Sequence, residues 1–328
     1  MSMRRVTLRQ LHVFEAVARH LSFSRAAAEL HLTQPAVSMQ VKSLEAEAGL
    51  PLVEQIGKKI HLTEAGRELQ ARAHAIDREL RAAEEALGAM RGLTQGRLTI
   101  GLVSTAKYFA PELLGRFLKA HPGVAVKLEV DNREAMIGLL ADNEVDLAVM
   151  GRPPQNMATV AEGFAPHPHV IIAPPDHPLA GQRRIPLERL AEEMFAIREP
   201  GSGTRGLLER LFAEHKLALK VSMEMASNET IKQAVIAGMG VSLLSLHTVG
   251  LELATRRLVI LDVAGLPIVR KWHVVHLAQK RLSPVAQALK AYLLAEGGRH
   301  LAALEAPARR APRTRARPNG PPSRSTLR

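Results

Sequence analysis

At 328 residues with 46% hydrophobic side chains, the chain is long enough for two or three domains with their own apolar cores, and no 18-residue run free of charges and strong breakers offers a membrane span. It contains no cysteine, which excludes disulfides, thiolate metal ligands and cysteine nucleophiles. The formal net charge of +12 points to a polyanionic partner, but its distribution weakens that inference: residues 1–66 hold eight basic against six acidic side chains, whereas residues 307–328 hold seven arginines and no acid. Met1–Gln10 lacks the apolar stretch of a signal peptide, so a cytoplasmic protein is expected, without a membrane partner.

The first 66 residues read as short helices joined by turns. Leu8, Leu11, Phe14 and Val17 form one apolar face of a first helix. Ser22 supplies a hydroxyl cap for a second, over FSRAAAEL. Thr33 caps a third with Pro35 in its first turn, where the missing N–H costs nothing, and this helix is expected from Gln34 to Ala48, ending at Gly49. Such a trio is a helix-turn-helix whose third helix enters the major groove. Two short β-like runs around Gly57-Lys58-Lys59 then form a wing beside the phosphates. A linker helix over 67–92 carries Leu69, Ala73, Ile76, Leu80, Ala83, Leu87 and Met90 at alternating steps of four and three, a heptad seam that predicts a homodimer.

Over 93–303, strands alternate with amphipathic helices. RLTIGLV, VAVKLEV and VDLAVMG, then HVIIAP, FAIRE, VSMEM, GVSLLS, LVILDV and Lys271–Ala278, predict βαβ units, a parallel sheet and two α/β lobes around a cleft. The remainder, 304–328, is rich in Pro and Arg without apolar periodicity and is expected to be a disordered basic tail, able at most to add salt-dependent, non-specific attraction to DNA.

Amide, hydroxyl and ammonium groups on the third helix can reach base edges or phosphates: Gln34, Ser38, Gln40 and Lys42, with Pro35 at its start. Ser22, Ser24 and Arg25 begin a helix whose amides can meet a phosphate, and Lys58 and Lys59 extend the contact from the wing. For a ligand in the cleft, the polar helix starts at strand ends are the places to look. These are Ser104, Thr105 and Lys107; Asn132 and Arg133; Gly201, Ser202, Gly203, Thr204 and Arg205; and Asn228, Glu229 and Thr230, with Arg152 after the third strand. Each hydroxyl has an ordinary alternative as a helix cap and each glycine as a turn. Together they favour an anion. No metal and no cofactor are expected: His167, His169 and His177 lie in a proline-broken stretch without ligand spacing, and no G-x-S-x-G elbow accompanies Ser245 and His247, so enzyme chemistry is not expected.

The segment LRQLHVFEAVARHLSFSRAAAELHLTQPAVSMQVKSLEAEAGLPLVEQIGKKIHLTEAG resembles the winged helix-turn-helix of LysR-type transcriptional regulators, and the resemblance runs along nearly all of the first 300 residues. GLVSTAKYFAPELL, DLAVMGRPP, HPHVIIAPPDHPL, REPGSGTR and SNETIKQAVIAGMGVSLLSLHTVGLEL are similar to the CbbR-type regulators of Calvin-cycle CO2-fixation operons. The resemblance implies an N-terminal winged helix-turn-helix, a linker helix and a two-lobed effector domain like that of periplasmic binding proteins. It implies a homodimer or homotetramer on a double-stranded DNA operator, contact with RNA polymerase, and an effector that is a phosphorylated metabolite or nucleotide. One departure stands out: Val53-Glu54-Gln55 occupies the place of the family's Phe-Glu-Arg, so a phosphate-contacting arginine of the wing is missing.

Overall fold

The computed structural model describes residues 3–57, 59–89 and 96–310. The chain divides into two compact units, Met1–Met90 and Arg91–Arg328.

In the first unit, α1 (Leu8–His20), α2 (Phe23–Glu29) and α3 (Gln34–Ala48) precede a hairpin of β1 (Val53–Ile56) and β2 (Lys59–Leu62), and α4 (Glu64–Ala89) follows. Local chemistry sets each boundary. Thr7 and Gln10 form a reciprocal capping box on α1, the hydroxyls of Ser22 and Thr33 accept from the amides of Arg25 and Ala36, and Gly49 closes α3 in a left-handed conformation at φ 69°. Val37, Val41 and Leu44 of α3 are buried against Phe14, Val17, Ala26 and Leu52. That face fixes which residues of α3 point outward. The seam of α4 is divided: Leu69 and Ala73 pack on this unit's own core, while Ile76, Leu80 and Ala83 are exposed. The helix therefore begins three residues earlier than the linker expected over 67–92, and its first turns are covered within the chain; Met90 lies outside the described residues.

The second unit runs β3 (Gly96–Val103), α5 (Ala110–Ala120), β4 (Val124–Asp131), α6 (Arg133–Ala141), β5 (Leu147–Met150), β6 (Thr159–Ala173), α7 (Leu187–Leu190) and β7 (Phe195–Arg198). It continues with α8 (Arg205–Glu214), β8 (Val221–Met225), α9 (Asn228–Ile236), β9 (Ser242–Ser245), α10 (Gly250–Ala254), β10 (Val259–Ile260), β11 (Ile268–Leu277) and α11 (Pro284–Arg310). The main sheet has the order β10-β6-β11-β5-β3-β4 with β9 also on β6. It is mixed, not parallel as expected: β3 is parallel to β4 and β5, but β11 is antiparallel to both β5 and β6.

The difference comes from one strand. HVIIAP is the second half of β6, whose first half, TVAEGFAP, holds polar residues and a proline and so lacks strand periodicity. Pro166 and Pro168 are tolerated because β6 there has β11 on one flank and gains β9 on the other only from His169 onward. Phe164 and Ala165 of β6 and Trp272, Val274 and Val275 of β11 belong to the core of the first lobe, whereas Val170 to Ala173 belong to the cores of the second. These two strands thus run from one lobe into the other. The final helix continues to Arg310, past residue 304 where the tail was expected to start; residues 311–328 lie outside the described residues.

Gly66, in the first turn of α4, ties the linker helix to the wing. A Cβ there would lie 2.0 Å from the carbonyl oxygen of Leu52. Gly66→Ala should therefore cost about 1–2 kcal/mol of stability, although alanine in a free helix gains about 0.5–1 kcal/mol over glycine. Thermal unfolding of the variant showing a raised midpoint would contradict this packing.

Candidate functional site

The exposed face of α3 follows from the burial of its opposite side. With Val37, Val41 and Leu44 inward, Gln34, Pro35 and Lys42 are exposed, and Ser38 and Gln40 are half-buried on the two flanks of the exposed face. Met39 is 66% exposed on the same helix and was not among the residues expected there. Glu45 fixes the wing to α3 by accepting from the amides of Leu52 and Val53 at 2.8 and 3.2 Å. Lys59 is exposed at the start of β2; Lys58 lies outside the described residues. Gln55, in place of the missing arginine, donates to the Gly57 carbonyl at 3.0 Å and so is turned to the hairpin tip. Ser24 and Arg25 are exposed at the start of α2, but Ser22 is spent as the cap and Arg25 donates to the His20 carbonyl at 2.6 Å.

In the second unit the candidates converge on two adjoining chambers. The outer, about 540 Å³, is bounded by the starts of α6 and α8: Arg133, Arg152, Gly201, Ser202, Gly203 and Arg205 line it, joined by Glu134, Glu209 and Arg210. The inner, about 30 Å³, is lined by Ser104, Thr105, Asn132, Arg133, Arg152, Ser202, Gly203 and Thr204, joined by His167, His169, Arg198 and Arg270. Gly201, at φ 82°, brings the α8 loop onto α6: its carbonyl accepts from the Glu134 amide at 3.2 Å, and a Cβ would strike the Glu134 carboxylate.

The cap alternatives now separate. Asn132 caps α6, its Oδ1 accepting from the Ala135 amide at 3.1 Å. Thr105 and Thr204 make no side-chain cap. Ser104 and Thr105 precede a short 3-10 turn, Ala106–Tyr108, instead of opening a helix. Ser227, not Asn228, caps α9. Lys107, Asn228, Glu229 and Thr230 line neither chamber. Asn228 is buried behind the inner chamber, where its Oδ1 accepts from Arg198 at 2.5 Å. Glu229 accepts from Tyr108 and pairs with the buried Lys232 at 3.0 Å.

Arg198, like Arg210 and Arg270, is a group that sequence reading missed. It is 2% exposed, pairs with Glu199 at 2.7 Å and donates to Asn228 and to the Ser104 hydroxyl, the latter at 3.0 Å. It therefore joins the end of β3 in one lobe to β7 and α9 in the other. Arg205 is also committed, to Glu209 and Glu224.

Arg133, Arg152, Arg210 and Arg270 differ. Among the described residues none of the four is paired with a carboxylate, and Arg133 is held only by the carbonyls of Arg152 and Pro153. Burial and then mutual repulsion lower the proton affinity of Arg133 and Arg210, and bring Arg270 down to about 10. Arg133, Arg210 and Arg270 remain cationic at neutral pH, so the cleft carries positive charge without a carboxylate paired directly to it. Each close pairing with an anionic group is worth about 4 kcal/mol at an effective dielectric of 20, before desolvation. Among the described residues no cluster of acidic, histidine or cysteine side chains could hold a metal ion.

A winged helix-turn-helix beside a two-lobed domain with a cationic cleft defines a DNA-binding protein with a small-molecule sensor. The family model described as "Bacterial regulatory helix-turn-helix protein, lysR family" matches residues 8–67, and "LysR substrate binding domain" matches residues 91–298. The chain belongs to the LysR family of transcriptional regulators; it is a regulator and not an enzyme. It is 53% identical over 294 residues to the RuBisCO operon transcriptional regulator of Allochromatium vinosum, covering 90% of this chain and 97% of that relative. It is 53% identical over 292 residues to the HTH-type transcriptional regulator CfxR of Cupriavidus necator, covering 89% and 92%. Its fold matches the CcmR regulatory domain of Synechocystis PCC6803 in complex with 2-PG at 45% identity and a TM-score of 0.60, over 61% of this chain and 97% of that one.

Removing Arg198 would leave the buried Asn228 amide and Glu199 without their cation. Arg198→Ala should destabilise the sensor unit by about 3 kcal/mol, as loss of one partner of a buried pair does, and calorimetric melting would reveal it. A change below the measurement error would show that the bridge between the lobes is dispensable.

Proposed function

We propose that the chain controls a RuBisCO operon, binding its operator in the cytoplasm as a dimer or tetramer and changing its contact with DNA or RNA polymerase when a small phosphorylated anion enters the cleft. The observation that carries the sensor half is the set of four arginines around one cleft that, among the described residues, have no carboxylate partner. Such charge is costly when empty and favours a state with an anion bound. The relatives' names support the operon, and the 2-PG bound to the CcmR domain is an anion of the expected kind. Exposed Ile76 and Leu80 on α4 support pairing of two chains, which presents two α3 helices to a two-fold operator. The sites at Gln34, Ser38 and Lys42 are read as base or phosphate contacts, with Lys59 on the phosphates.

The effector acts by population shift: it must bind one arrangement of the lobes better than another, with a typical coupling of about 1–3 kcal/mol. Footprinting of the full-length chain on RuBisCO promoter fragments, with and without 2-PG, tests both halves; an unprotected promoter at low salt would reject the operator, and an effector-blind footprint would reject the sensor. Two substitutions should separate the functions. Lys42→Ala should weaken operator binding by about 1–3 kcal/mol and leave 2-PG affinity unchanged. Arg152→Ala should do the reverse, and loss of both activities in either variant would mean that the residue serves folding and not its assigned contact.

A further inference from the structure

His167 lies where β6 passes between the lobes, opposite Arg270 in the β6–β11 register. Its side chain is 4% exposed, its ring stacks on Trp272 at 3.7 Å between centroids, and it lines the inner chamber. Both ring nitrogens are buried without a hydrogen-bond partner, and among the described residues no other histidine has both in that state. A neutral imidazole always keeps one donor and one acceptor, and each left unsatisfied when buried is destabilising. The backbone is shaped around the ring: a Cβ on Gly151 would lie 2.5 Å from Nδ1. The neighbouring rings are occupied. His169 donates from Nδ1 to the His167 carbonyl at 3.2 Å, and Trp272 donates to His247 at 3.2 Å.

Among the described residues, the titratable groups that line the chamber or act on this ring are histidines and cations. They are His169 on the same strand, Arg270 and His273 on β11, His247 beyond β9, and Arg152 and Arg198 across the chamber. Burial first, then His169, His247, Arg270 and His273, hold the imidazole well below its usual range, so it is neutral when the chamber is empty.

We infer that His167 is a proton-linked contact for the effector: an anionic oxygen of a ligand held in the outer chamber, reaching the inner one beside Arg270 and Arg198, draws a proton onto the imidazole, which then donates a charge-assisted hydrogen bond to it. This inference rests on the cleft being the effector site. No bond beyond the proton's own is made or broken; solvent supplies the proton and the ring keeps it while the anion stays. The sign of the pH dependence follows. Ligand binding raises the proton affinity of the group, so binding takes up a proton and weakens as pH rises through the interval between the empty and occupied values, by at most about tenfold per pH unit for one proton. Effector binding then reports anion and proton concentrations together.

The test is calorimetric titration of 2-PG into the full chain near neutral pH, in buffers of different ionisation enthalpy, for the parent, His167→Gln and His167→Phe. The parent should take up more protons per bound ligand than either variant, and its Kd should rise more steeply with pH. Phenylalanine preserves the stack on Trp272 and removes the orphaned nitrogens, so His167→Phe should fold with an unchanged or raised melting temperature yet bind 2-PG about tenfold or more weakly, in line with loss of one charge-assisted hydrogen bond. Equal proton uptake and equal affinity in parent and variants would overturn the role of His167 while leaving the cleft as effector site. Absence of any 2-PG binding by the folded parent would overturn both.

Discussion

The antiparallel pairing of β6 with β11 is the constraint on which the sensor unit depends. Ten register pairs, from Ile268 with His169 to Leu277 with Thr159, hold two strands that each belong to both lobes. Because one pair of strands serves two cores, the residues at its middle are covered by neither. There the strands carry Arg270 and the buried His167 and His169, polar groups that line the inner chamber between the cores.

Around this waist the charge is arranged unevenly. Arg198 is matched to Glu199, Asn228 and Ser104, and Arg205 to Glu209 and Glu224; these pairs position the loops. Among the described residues Arg133, Arg152, Arg210 and Arg270 have no such partners and repel one another. A matched guanidinium contributes to holding the lobes, whereas an unmatched one is left available. On the function proposed above, a ligand that neutralised the second set would change the balance between lobe arrangements, which is the form of energy that an allosteric regulator requires.

The DNA-binding unit solves a different problem. A helix proposed to read DNA must be exposed along one face yet rigid, and in α3 the burial of Val37, Val41 and Leu44 with the Glu45 bonds to the hairpin meets both demands. The first two seam positions of α4, Leu69 and Ala73, anchor that helix to the same core, and the next ones, Ile76 and Leu80, are exposed. Gly66 permits the approach.

What the amino-acid order determined by itself is whatever depends on near neighbours: the three helices, the caps at Ser22 and Thr33, the wing, the heptad steps of α4 and the glycine-rich turn before α8. These rest on periodicity and on hydrogen bonds spanning three or four residues, both visible in the chain. The mixed sheet, the identity of Arg198 as the bridge and the exclusion of Lys107, Glu229 and Thr230 from the chambers were decided only in three dimensions. Arg198 meets a hydroxyl 94 positions away, and His167 looks like part of a proline-broken loop until β11 pairs with it. Local signals report conformation, but whether a buried charge is matched depends on groups that only the fold brings together.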